Sequence, residues 1–377
     1  MSAWRIPLSE VAFGDEEASA VADVVRSGWV SMGAQVRAFE QEFAKALGVS
    51  DAVAVANGTA ALHLALMALG VKAGAEVVVP TLSFVASANA VALAGGKAVF
   101  ADSIGEEDYT IDPSAVERAI TARTVGVMAM HYGGYPSEMD ALRDLCSSRG
   151  LFLIEDAAHA PGAVWKGKPL GTIGDAGCFS FFGNKNLATG EGGMVLARNP
   201  EMLASVRLMR SHGMTTMSWD RYAGHANSYD VVSPGLNYRP TELTGALGRI
   251  QLRKLPDNNA RRNEVLARYR ERLAASKGMS IPFSHKSGAA HLCVIRLRDP
   301  GLQAPLREEL SNHGIQTSLH YPPSHLFAHY QRTNPGRFPV AEGLAATSVT
   351  LPLYPGLSRE HVDEICDRVA RFLAGRG

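Results

Sequence analysis

Neither sign of charge is in surplus in this sequence: 37 Lys and Arg balance 37 Asp and Glu, and the pI is about 7.2. With no basic excess to neutralise a nucleic-acid backbone, nucleic acid is not expected as a partner. Cysteine is scarce. Cys146, Cys178, Cys293 and Cys366 lie far apart and form no C-x-x-C pair, the usage of reduced, individually buried thiols and hence of a cytoplasmic protein. Long apolar runs are missing too: the most apolar stretch, residues 84–100, is interrupted by Ser87, Asn89, Gly95, Gly96 and Lys97. Met1-Ser2-Ala3-Trp4-Arg5-Ile6-Pro7 has no apolar signal-peptide region, so neither export nor a membrane span is expected.

Several binding signatures are absent or incomplete. No G-x-G-x-x-G follows a strand-like run, which leaves nicotinamide-dependent hydride transfer without support. Gly162-Ala163-Val164-Trp165-Lys166-Gly167-Lys168 satisfies G-x-x-x-x-G-K, but Pro169 stands where a Walker loop needs Ser or Thr to hold magnesium. His325 and His329 have i,i+4 spacing and His320 is near, yet no acidic base lies between them as in H-E-x-x-H, and no metal site is expected.

What is present is a regular alternation. At 377 residues and 40.2 kDa the chain exceeds one ordinary core. Between residues 50 and 200, β-branched or apolar runs (52–56, 76–80, 98–101, 125–130, 151–155, 178–182, 194–197) alternate with Ala/Leu-rich helical stretches (59–69, 84–94, 139–148). This βα order predicts a mostly parallel sheet covered by helices on both faces. Residues 211–232 are polar and too long for an ordinary connection, which suggests a lid or interface loop. Charged helical segments follow at 242–255 and 258–276, then a strand near 291–297 and a helix near 359–373. A boundary near residue 255 would divide a large unit, 1–255, from a smaller C-terminal α+β unit, 256–377.

Two residues carry the chemistry. Asp156 ends an apolar run in Glu155-Asp156-Ala157-Ala158-His159, and Lys185 lies downstream in Gly183-Asn184-Lys185-Asn186-Leu187-Ala188-Thr189-Gly190-Glu191-Gly192-Gly193. Pyridoxal phosphate needs a lysine to hold its aldehyde as a Schiff base and a carboxylate to keep its pyridine nitrogen protonated. A lone Lys or Asp is more often a solvated loop residue or a helix cap. Here the surrounding residues shift that balance: Asn57-Gly58-Thr59 stands between a strand and a helix, where free N–H groups favour a phosphate, although the same triplet is an ordinary turn and N-cap. Phe84 can stack on a flat ring, or simply begin a core helix. His159, three residues after Asp156, can approach another edge of that ring.

These motifs resemble the sugar aminotransferases of the DegT/DnrJ/EryC1/StrS group, a branch of the fold-type-I pyridoxal-phosphate enzymes, over nearly the whole chain. Further marks are Ser27-Gly28-Trp29-Val30, Phe39-Glu40, Arg210-Ser211-His212-Gly213, Asn237-Tyr238-Arg239 and Leu351-Pro352-Leu353-Tyr354-Pro355. The resemblance implies that Lys185 holds the cofactor covalently, Asp156 pairs with its ring nitrogen, Phe84 stacks on the ring and His159 approaches the ring hydroxyl. It assigns Gly58, Thr59 and Ser180 to the phosphate, and brings Asn237 to the phosphate of a second subunit, which makes the protein a homodimer with shared sites. Trp29, Arg239, His320 and Tyr321 are the candidate substrate contacts. A guanidinium can clamp a carboxylate or phosphate, though Arg239 could equally form an intersubunit ion pair. Asn57 replaces a frequent serine, and His159 a common glutamine, without removing a needed group.

The related sugar 3-dehydratases carry histidine in place of the lysine, so Lys185 points to amino transfer. The implied reaction takes an amine from glutamate, passes through the pyridoxamine phosphate form and delivers the amine to a keto sugar with ping-pong kinetics. The run from Lys185 to Met194 resembles the Lys-x-x-x-Thr-Gly-Glu-Gly-Gly-Met of enzymes acting on nucleotide-linked 4-keto-6-deoxyhexoses, whereas many 3-keto-sugar enzymes have a Gly-Asp-Gly-Gly form. A 3-keto nucleotide sugar or a keto-cyclitol of the scyllo-inosose type is the alternative substrate. A non-catalytic cofactor-binding regulator is the remote alternative, disfavoured by the presence of both Lys185 and Asp156 and by the lack of a DNA-binding helix or basic face.

Overall fold

The structure is a computed structural model, and residues 4–216 and 228–375 of it are described. A seven-stranded sheet forms its centre, in the spatial order Val53–Val55, Gly193–Ala197, Ala176–Ser180, Phe152–Asp156, Thr124–Met130, Glu76–Pro80, Lys97–Ala101. Gly193–Ala197 runs antiparallel to both of its neighbours, and the remaining pairs are parallel. The apolar runs are short and nearly unbroken because both faces of the sheet are covered. Val78, Val127 and Leu153 enter one core with Phe39, Phe43 and Phe179, while Val77, Val79 and Ile154 enter the opposite core with Leu64 and Val91. The expected α/β architecture is the observed one.

A three-stranded antiparallel sheet, Met279–Ser280, Cys293–Leu297 and Ser348–Leu351, supports the C-terminal unit with the helices Gln303–Asn312 and Arg359–Ala374. Ile6 pairs with Ile315 and belongs to a third core with Cys293, Ile295 and Val349, so the N-terminal segment packs with this sheet.

The two helical segments expected on either side of Pro256 form one helix, Glu242–Leu273. A mid-helix proline removes one backbone hydrogen bond and crowds the preceding turn. Packing overrides that penalty: the helix lies against Asp15–Arg26, Ala34–Leu47 and Arg359–Ala374. Gly245 permits one close approach, since a Cβ there would stand 2.5 Å from the Val36 nitrogen. Residue 255, where a boundary was expected, therefore lies inside this helix.

Of the long polar segment 211–232, residues 217–227 lie outside the described residues; its described ends pair through Met214 and Val231. No helix among the described residues is long and apolar enough to cross a membrane. All four cysteines are buried and free.

Candidate active site

Strand ends set the site. Asp156 and Ser180 close two parallel strands at their carboxyl ends, and Gly58 opens the helix that follows Val53–Val55. In an open α/β sheet this edge is where ligands bind. Here it borders a cavity of about 570 Å³ lined by Gly58, Thr59, Asp156, Ser180 and Lys185, together with Phe84, His159, His320 and Tyr321.

The helix start that lines the cavity suits an anion. Asn57 is extended, and its Oδ1 accepts the Ala60 N–H at 2.9 Å. The Gly58 and Thr59 N–H groups, ahead of the first N–H bonded within the helix (Ala61 to the Asn57 carbonyl), are left for a ligand. Glycine is required at 58: a Cβ there would meet Ser180 Cβ at 2.7 Å, so the helix start packs directly on the strand that offers the Ser180 hydroxyl. Gly58→Ala is expected to lower stability by roughly 1–3 kcal/mol in urea unfolding and to weaken binding of a phosphate-bearing ligand, because the added methyl forces the helix start away from Ser180. Wild-type stability and affinity in this variant would contradict the cradle.

The same cavity holds the acid. Asp156 is 6% exposed, with Ser87 Oγ donating to its Oδ2 at 2.9 Å and the Ala158 N–H to its Oδ1 at 3.2 Å. Burial raises its pKa, while Ser87, Ala158 and the Lys185 charge pull it back. The preceding residue, Glu155, is fully buried and accepts from His131 Nε2 at 3.0 Å and from the N–H groups of Gly171, Ile173 and Gly174 at 2.8, 2.6 and 2.7 Å. Burial alone would raise the pKa of Glu155; the bond from His131 and the amides hold it below the usual value. That knot fixes the strand end from which Asp156 projects.

Lys185 sits on the same cavity wall, in a loop turned by its N–H to the Phe182 carbonyl at 2.9 Å. Burial lowers its pKa to about 8, against a partial upward pull from Asp156. Its neighbour Asn186 anchors the loop: Nδ2 donates to Asn259 Oδ1 at 2.8 Å and to the Ala289 carbonyl at 2.7 Å, and Oδ1 accepts from His291 Nδ1 at 2.9 Å. With that proton on Nδ1 and its pKa forced well down by burial, His291 is neutral.

His159 is neutral for the same reason and its tautomer is fixed. The Gly133 N–H can only donate, so Nδ1 at 3.3 Å accepts, and Nε2 donates to the Tyr321 hydroxyl at 2.9 Å. The phenol, itself raised by burial, keeps its own proton for another acceptor. Phe84 is 56% exposed, an open ring face on the cavity rather than a core side chain, with the Tyr321 ring 5.9 Å away. His320 bonds Thr350 through Nδ1 at 2.9 Å, and burial lowers its pKa to about 4.

Three predicted residues lie outside this cavity. Trp29 lines a groove with Glu242 and Arg249, and its ring N–H faces the Met32 carbonyl at 3.4 Å. Asn237 pairs with Ser211 along the backbone. Arg239 has a buried Nη1 without a hydrogen-bond partner among the described residues. Tyr238, between them, does line the cavity and bonds His63 at 3.2 Å. Tyr238 on the cavity, and Ser87, Asn186 and His291 behind it, are site residues that no sequence motif pointed to by their own chemistry. The only signal for Asn186 was its place beside Lys185.

This arrangement fits pyridoxal phosphate: an anion cradle that leaves no room for a Cβ, a buried carboxylate, an amine near neutrality and an open aromatic face. The model of the DegT/DnrJ/EryC1/StrS aminotransferase family matches residues 12–370. The chain belongs to this family. It is therefore an aminotransferase of the sugar-modifying type, similar over 98% of its length to the spore coat polysaccharide biosynthesis protein SpsC of Bacillus subtilis, at 38% identity over 97% of that protein. Among solved structures, the aminotransferase TlmJ from Streptoalloteichus hindustanus is 33% identical with a TM-score of 0.92, covering 99% of this chain and 100% of that one. The sugar aminotransferase Spr1654 from Streptococcus pneumoniae, described as putative and solved in its PLP form, is 28% identical with a TM-score of 0.91, over 98% of this chain and 99% of that one.

Proposed function

We propose that this aminotransferase uses pyridoxal phosphate to move the amino group of glutamate to a keto sugar, a nucleotide-linked 4-keto-6-deoxyhexose. The observation that carries the reading is the pairing of Lys185 and Asp156 on one cavity that the Gly58–Thr59 helix start also lines. When bound, pyridoxal phosphate supplies an aldehyde for amine exchange and a ring that absorbs an electron pair.

The protein's residues do the rest. Gly58, Thr59 and Ser180 bind the phosphate, and Phe84 covers the ring. Asp156 retains the proton on the ring nitrogen. Lys185, with its pKa near 8, has an appreciable free-amine fraction at neutral pH and can take up and return a proton. His159 and Tyr321 present a hydrogen-bond donor toward the ring oxygen side. A dimer in which Asn237 serves the partner's site is consistent with the position of Asn237 outside the cavity of its own chain.

The Lys185-to-Met194 wording supports 4-amination, and Glu191 within it lines the cavity. Purified protein incubated with pyridoxal phosphate, glutamate and, separately, a 4-keto-6-deoxy nucleotide sugar, a 3-keto nucleotide sugar and scyllo-inosose is expected to release 2-oxoglutarate fastest with the first. Faster release with either of the others would replace that substrate.

A further inference from the structure

A chain of hydroxyl groups runs behind the acid of the cavity. Ser87 lies in the first turn of the helix Ala86–Leu93 and is 1% exposed. Its Oγ is 2.9 Å from Asp156 Oδ2 and 3.0 Å from the Oγ of Ser83, which is equally buried. A carboxylate only accepts, so the Ser87 proton points at Asp156, and the oxygen of Ser87 is left to accept the Ser83 proton. The chain then has one direction, Ser83 to Ser87 to Asp156, and that direction matches an ionised Asp156. Ser83 is tied in turn: its carbonyl accepts from Ser324 Oγ at 3.4 Å, and the Ser324 N–H donates to the Thr81 carbonyl at 2.7 Å.

We propose that Ser87, oriented by Ser83, is a positioning residue that keeps Asp156 anionic and aimed at the ring nitrogen of the bound cofactor, an inference that rests on the pyridoxal-phosphate reading above. The need for such a donor is physical. Burial opposes the Asp156 anion, and the Ala158 amide serves only Oδ1. Hydrogen bonds to an ion inside a protein are stronger than neutral ones, and successive hydroxyls polarise one another in the same sense. A serine present only to fill space would have no effect that depends on whether the ligand ring contains nitrogen.

That dependence gives the test. Equilibrium dissociation constants of pyridoxal phosphate, and of its analogue with a C–H in place of the ring nitrogen, are measured on the purified full chain. Ser87→Ala is expected to raise the Kd of pyridoxal phosphate about tenfold, the order expected for one hydrogen bond to a charged group, and to leave that of the carbon analogue unchanged. Ser83→Ala should give a smaller rise with the same selectivity, and Ser87→Thr, which keeps the hydroxyl, wild-type values. In turnover, kcat should fall with KM unchanged. Equal weakening of both ligands by Ser87→Ala, or of neither, overturns the positioning role. A wild-type chain that fails to prefer pyridoxal phosphate over the analogue overturns instead the assignment of Asp156 to the ring nitrogen, and this inference with it.

Discussion

Lys185→Ala is expected to lower kcat by at least about four orders of magnitude, because one side chain is both the covalent anchor and the group that carries the proton. The fold should tolerate the change, since the loop is held by Asn186 and by the backbone of Lys185, not by its ammonium. Pyridoxal phosphate should still bind, through the Gly58 end and Asp156, but without the visible band of a lysine-linked cofactor. Absorbance after reconstitution, together with 2-oxoglutarate release, reads both effects; turnover within about tenfold of wild type would refute the assignment. The sign of the pH dependence follows from the same residue. Proton uptake needs the free amine, and with a pKa of about 8 that fraction grows as pH rises through 8. The proton-transfer step should therefore speed up with pH and level off above that value.

Asp156→Asn is expected to lower kcat by roughly two to four orders of magnitude, because a neutral amide cannot hold a proton on the ring nitrogen while electron density accumulates there. The variant is nearly isosteric, so its stability separates function from folding. Burial disfavours the Asp156 charge in the absence of ligand, and removing that charge should leave the melting temperature of the cofactor-free chain unchanged or raise it. Lower activity with equal or greater stability is the signature of a residue kept for chemistry. A parallel fall in both would reduce Asp156 to a structural acid.

Much of the site was legible because its parts are local. Asp156 ends an apolar strand, Asn57-Gly58-Thr59 joins a strand to a helix, and Lys185 stands in a glycine-rich turn; each is a short stretch whose backbone geometry follows from its own residues. Ser87 was not legible. In sequence it only interrupts an apolar run, and its partner Asp156 is 69 positions away. The link between His159 and Tyr321 spans 162 positions and exists only because tertiary packing brings those two remote segments together.

The sequence alone determined the α/β alternation, the family and the identities of the lysine and the acid, since strand and helix periods and short motifs are properties of neighbouring residues. The tertiary structure decided what those residues experience. It drew the Lys185 pKa down to about 8 and fixed the His159 tautomer. It also carried one helix through Pro256 and set two serines behind Asp156. Burial, charge proximity and hydrogen-bond direction depend on distances across the fold, and those arise only when remote segments pack together.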